Sequence, residues 1–205
     1  MKTNQFSQKQ ILECAKRYSE NRKKNCNNAL LHKEVEDFAK EQKKDMSNWL
    51  FEIVSDTADA LDFLEYHKDK KLLYERLREY TVGSLVNNSV MVDRANARGI
   101  CLSYFNPETK EVVTGVSYLN TTENYFMPTI GVAEALKDAL AKSEDKKPIK
   151  DEFKSQYNHF IMRSKAYFLP EVYSYSRGSN PLDYFDKNLD KRQKLIKADK
   201  SIFLK

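Results

Sequence analysis

Glycine and proline are scarce in this chain, five of each among 205 residues. Sandwiches and barrels of short strands need many tight turns, so the scarcity argues against an all-β architecture. The few glycines also form no phosphate cradle, since neither G-x-x-x-x-G-K nor G-x-G-x-x-G occurs. Cysteine is equally sparse. Cys14, Cys26 and Cys101 are odd in number and far apart, without C-x-x-C or Cys/His zinc spacing. That pattern excludes a disulfide framework and fits free thiols in a reducing cytoplasm. No apolar run approaches the roughly 20 residues of a membrane span. The opening Met1-Lys2-Thr3-Asn4-Gln5 lacks the apolar core of a signal peptide.

Recognisable catalytic signatures are missing too. There is no H-E-x-x-H and no G-x-S-x-G elbow, and His32, His67 and His159 are isolated. Cys14, Cys26 and His32 would meet if the first two helices paired, but no fourth ligand is evident. No metal site and no cofactor are therefore expected, and an enzyme is the less favoured class.

What the chain does have is apolar and aromatic bulk: 40% hydrophobic and 12% aromatic residues, enough for a core despite 32% charge. The net charge of +5 is uneven. Residues 1–45 and 186–205 are basic. Between Met46 and Tyr66 lie five acids, Glu52, Asp56, Asp59, Asp62 and Glu65, and no Lys or Arg. Basic ends around an acidic helix favour either a nucleic-acid partner or internal pairing of the charges.

Ser7-Gln8-Lys9-Gln10 has the form of a capping box, with Ile11, Leu12, Ala15 and Tyr18 following at helical spacing, so a helix is read over 7–24. The Asn-rich stretch 25–28 interrupts it. A second helix is read over 29–44 with Leu31, Val35 and Phe38 on one side. In the third, Ser47 is the expected cap, and Trp49, Leu50, Ile53, Val54, Ala60, Leu61 and Leu64 form an apolar stripe. The acids fall opposite that stripe. Phe51 and Phe63 lie off it, free to cover a neighbouring element or to meet a partner. A fourth helix is read over 69–80, with Leu72, Leu73, Leu77 and Tyr80 inward and Gly83 as its stop.

The period then changes. Residues 100–105 and 112–118 are β-branched and aromatic, joined by Asn106-Pro107-Glu108-Thr109-Lys110, and predict an antiparallel hairpin. Residues 85–92 are read as a third strand before it and 125–127 as an edge strand after it. Gly131 to Leu140 reads as a helix lying on the hairpin, and 151–168 as another helix, which Pro170 cannot continue. Residues 169–181 read as irregular, and 182–198 as a last basic helix. The fold class is α+β: an N-terminal helical group of about four helices (1–82), a small antiparallel sheet, and C-terminal helices. No Gly/Ser/Pro linker divides the chain, so one domain, 1–205, with one shared core is expected.

Three groups of side chains stand out as candidate sites. Arg163, Lys165, Tyr167, Phe168, Tyr173, Tyr175 and Arg177 interleave Arg with Tyr, the types enriched in binding hot spots and base-stacking surfaces. Partner binding is the functional reading of Arg163, Lys165, Tyr167, Tyr173, Tyr175 and Arg177. The structural reading is that the rings pack the C-terminal segment onto the core. The acidic face Glu52, Asp56, Asp59 and Asp62 is either solvated or a surface that meets a basic partner. Arg94 and Arg98 are read as loop residues before the hairpin, facing an anion or only water.

The run Gly99 to Tyr118, followed by Ile130-Gly131-Val132-Ala133 opening a helix, resembles a hairpin-plus-helix module of phage proteins. The whole Lys- and Tyr-rich chain is similar in character to small accessory proteins of T-even-like phages. That resemblance implies host interaction or anti-defence work: a non-enzymatic protein that binds and neutralises a host protein such as a toxin or nuclease, in the host cytoplasm. The same hairpin and helix also look like the centre of a GNAT-family N-acetyltransferase, which grips the acetyl-CoA pyrophosphate at a helix start. The corresponding stretch here, Met127 to Ala133, keeps one Gly and has no Arg or Lys. Protein inhibitor, nucleic-acid-binding module and small acetyltransferase-like enzyme are thus the three expectations, in that order.

Overall fold

Ser7 and Gln10 exchange hydrogen bonds across the first turn of a helix. The Ser7 backbone N–H donates to Gln10 Oε1 at 3.0 Å, and the Gln10 N–H to Ser7 Oγ at 3.2 Å. This is the capping box, and it starts α1 (Gln8–Lys24). Asn27 caps α2 (Asn28–Glu41) by accepting from the Ala29 N–H. The third helix, α3 (Asn48–Tyr66), follows. The computed structural model describes residues 6–24, 27–44, 48–86, 89–119 and 126–173, with the backbone alone at 48, 80–86 and 89–96. Ser47, the expected cap of α3, and the basic helix read over 182–198 lie outside the described residues.

The chain divides into two compact units, Met1–Asp69 with Met127–Ala133, and Lys70–Phe126 with Glu134–Lys205. In the first, α1 packs on α2 and α3. Ile11, Cys14, Ala15, Leu31, Val35, Phe38, Leu50 and Val54 are buried there, following the 3.6-residue period of their helices. Each fully buried large apolar side chain contributes about 1.5–3 kcal/mol. Phe51 covers neighbours rather than facing water, with Tyr18 and His32 ring centroids at 6.0 and 5.0 Å.

The second unit holds a three-stranded antiparallel sheet in the order β1-β2-β3, with β1 at Leu72–Val86, β2 at Ser89–Asn106 and β3 at Glu111–Tyr118. The predicted hairpin is β2–β3, running from Gly99 opposite Tyr118 to Asn106 opposite Glu111. Asn106 Oδ1 accepts the Glu108 N–H, and Lys110 takes a positive φ of 57°, which closes the turn. Helix α4 (Pro128–Leu140) approaches β3 at Gly115, and α5 (Lys154–Phe168) covers the other face after a single 3-10 turn at Asp151–Phe153. Beneath α5 lie Leu73, Leu77, Cys101, Val116, Phe153 and Phe160.

Several expectations are corrected here. Residues 69–80 contain no helix, and β1 begins at Leu72. Leu73 and Leu77 share a face in a helix and equally in a strand, because an offset of four is even, so the ladder to β2 decides. Three helices, not four, precede the sheet among the described residues. Residues 85–86 and 89–92 form no separate strand but the paired ends of β1 and β2, with Val86 opposite Ser89. Phe126 and Met127 belong to no strand. Arg94 and Arg98 are strand residues of β2, not loop residues.

Beyond Gly99 the Leu119 N–H donates to the Arg98 carbonyl at 2.7 Å, and from there β2 is paired with β1 alone among the described residues, as far as Val86 opposite Ser89. The hairpin therefore continues past β3 as a two-stranded ribbon, roughly 30 Å long at about 3.3 Å per residue.

Candidate functional site

The Tyr/Arg group is engaged in packing wherever it is described. Arg163 turns toward the sheet, and its Nη2 meets Glu75 Oε2. Its Nε is buried and has no partner among the described residues. One turn on, Tyr167 packs on the core beneath α5, with its ring edge-on to Phe168 and Lys71 Nζ 4.6 Å from its centroid. Lys165 points elsewhere, to the ring of Tyr173 at 5.4 Å, and Tyr173 lies on Met162 and Ala166. The six residues thus do not form one exposed patch in the part that is described. Tyr175 and Arg177 lie outside the described residues.

The acidic row divides in two. Glu52 and Asp56 are exposed. Asp59 and Asp62 face the end of α1: Arg22 reaches Asp59 at 2.5 Å and Asp62 at 2.6 Å, and Lys23 reaches Asp62 at 2.7 Å. Ser19 Oγ donates to Asp62 at 2.7 Å. Burial opposes the charge on Asp62, yet the bonds from Lys23, Ser19 and Arg22 outweigh it and hold its pKa at about 2. Half of this face is therefore engaged in a charge network with α1, with Asp59 still exposed to solvent and Asp62 half-buried.

The remaining chemistry is structural. No cluster of three or more His, Cys, Asp or Glu side chains among the described residues is arranged to hold a metal ion. Burial pushes the Cys14 thiol up to about 12 and raises Cys101 as well. Arg98 is bound to Glu79 at 2.7 Å. In the stretch 127–133, the Gly131 N–H already donates to the Met127 carbonyl at 3.1 Å, so it is a helix bond and not a free anion donor.

The feature that sequence reading missed is the outer edge of β1. Gln156 on α5 grips Arg78 like a ladder rung: the Arg78 N–H donates to Gln156 Oε1 at 3.0 Å, and Gln156 Nε2 donates to the Arg78 carbonyl at 2.7 Å. Arg78 therefore points its backbone away from β2. Glu75 points the opposite way, since its carbonyl accepts from Cys101 Sγ on β2 at 3.4 Å. Alternation then directs the N–H and C=O groups of Leu72, Tyr74 and Arg76 outward.

The other edge of the sheet is bonded at two points. Asp138 accepts the Val116 N–H, and Lys146 Nζ donates to the Thr114 carbonyl. Along the β1 edge Tyr74 is 54% exposed. Lys71, Arg76 and Arg78 are exposed, and no carboxylate among the described residues pairs with them. The acids beside them are neutralised, Glu75 by Arg163 and Glu79 by Arg98. The signal available in the sequence was the period-2 run Leu73, Glu75, Leu77 against Tyr74, Arg76, Arg78.

No family model matches the chain, and no curated protein or solved structure matches it.

Proposed function

We propose that this is a non-catalytic binding protein that engages another protein and neutralises it, as an accessory protein directed at a host factor would. The observation that carries this reading is the β1–β2 hairpin, which among the described residues runs beyond the three-stranded sheet as a two-stranded ribbon. Two strands by themselves are marginal in water, so a ribbon of this length gains stability from whatever lies against it. Residues 81–86 and 89–92 of the ribbon carry no charge, which suits a protein surface better than a phosphate backbone. Asp59, Asp62, Arg163 and Asp138 are engaged in internal bonds, which accords with a structural rather than a catalytic part for these four residues.

The test is affinity capture from bacterial lysate with and without nuclease, read by mass spectrometry. One stoichiometric protein that survives nuclease is the expected result. Loss of everything captured on nuclease treatment would transfer the reading to nucleic-acid binding.

A further inference from the structure

We infer that the outer edge of β1, from Leu72 to Arg76, receives an extended acidic segment of the partner as a fourth strand of the sheet. The inference rests on the protein-binding reading above and gives it a place and a chemistry. An unpaired sheet edge is a template for strand addition, and proteins close the edges they do not use. Here Asp138 and Lys146 bond the Val116 N–H and the Thr114 carbonyl on the β3 edge, while the β1 edge is bonded by Gln156 at Arg78 and by no described residue at Leu72, Tyr74 or Arg76.

Charge selects the occupant. Arg76 and Arg78 are exposed along this edge without carboxylate partners among the described residues, with Arg76 over the Phe126 ring at 5.7 Å and Lys71 over that of Tyr167 at 4.6 Å, so an incoming strand gains from Asp and Glu. Tyr74 offers the apolar contact beside them. The same charges disfavour a second copy. Antiparallel self-pairing centred on Tyr74 sets Lys70 against Arg78. Centring on Arg76 sets that residue against itself, and centring on Glu75 does the same for a carboxylate.

The experiment is selection of displayed random peptides on the full-length protein. The expected winners are acidic sequences with alternating apolar residues. The strongest winner, synthesised, is then titrated against the wild type, Arg76→Glu and Tyr74→Pro. Proline at position 74 removes an outward N–H and leaves the ladder to β2 intact. Each variant is expected to bind at least about tenfold more weakly, a loss typical of one well-placed charge or strand bond. The same peptide N-methylated at alternate residues tests strand pairing without altering the protein, and it too is expected to lose binding.

Enrichment of no acidic peptide, or equal binding by the N-methylated form, would overturn the inference. So would sedimentation of the wild type as a dimer that Tyr74→Pro converts to monomer, which would assign the edge to a second copy. A lysate protein captured equally by wild type and Tyr74→Pro would leave protein binding standing and remove only this edge from it.

Discussion

Asp138 Oδ2 accepts the backbone N–H of Val116 at 2.8 Å, and its Oδ1 accepts that of Lys147 at 2.7 Å. A nearly buried carboxylate on α4 thus ties the edge strand of the sheet to the loop that follows the helix. Asp138→Ala leaves both donors without their acceptor. Unmade buried bonds cost about 1–3 kcal/mol each, so a loss of about 2–6 kcal/mol is expected in urea unfolding. Asp138→Asn, which keeps one acceptor oxygen, is expected to lose less. Equal midpoints for wild type and Asp138→Ala would refute this role.

Gly115 is the point of closest approach between β3 and α4. A Cβ there would lie 2.2 Å from the Ala135 carbonyl oxygen and 2.3 Å from the Ala139 nitrogen, both backbone atoms that cannot rotate aside. Gly115→Ala should force the helix off the strand and cost about 3 kcal/mol, the upper range of overpacking. Thermal unfolding followed by circular dichroism measures it, and an unchanged melting temperature would show that α4 shifts freely.

The network at the end of α1 predicts an acid limb of stability. The pKa of Asp62 lies below its ordinary value of 3.8, at about 2. A carboxylate whose folded pKa is depressed stabilises the fold above its unfolded pKa, and that contribution is lost as pH falls from about 4 towards 2. The wild type should therefore lose stability over that window more steeply than Asp62→Asn. At pH 7 the Asn variant should be less stable by about 1–3 kcal/mol, the range for hydrogen bonds to a charged group. Parallel denaturation curves for the two proteins at pH 6, 4 and 2 give the comparison. A constant difference across them would contradict the assignment.

Cys14 and Cys101 are buried, and burial raises both thiols far above neutral pH. The thiolate is the reactive form, so neither should be alkylated at pH 8 until denaturant is added. Peptide mapping after iodoacetamide treatment, with and without urea, reads each site separately. Native labelling of Cys14 would mean that α1 opens readily.

Local chemistry explains what could be read in advance. The Ser7–Gln10 box and the turn at Asn106 each act over a few residues, and each stands where the residues alone place it. The Tyr/Arg group shows the limit of such reading. Hot-spot composition is the same whether a ring is exposed or packed, and Tyr167 and Tyr173 are packed because Phe160, Met162 and Ala166 lie on the buried side of α5. The acidic row was visible as a row, but its pairing with Arg22 and Lys23 depends on α1 lying alongside α3, some 40 positions away in the chain.

Apolar period, caps and turn residues act locally, so the α+β class, the helices α1 to α3, the β2–β3 hairpin and the helical character of α4 and α5 are legible in the residues alone. That 72–86 is a strand is not: Leu73 and Leu77 satisfy both periods, and the choice comes from long-range backbone pairing with 89–104. The bonds that Asp138 and Gln156 make to the two edges of the sheet depend likewise on contacts across the fold, which no local pattern encodes.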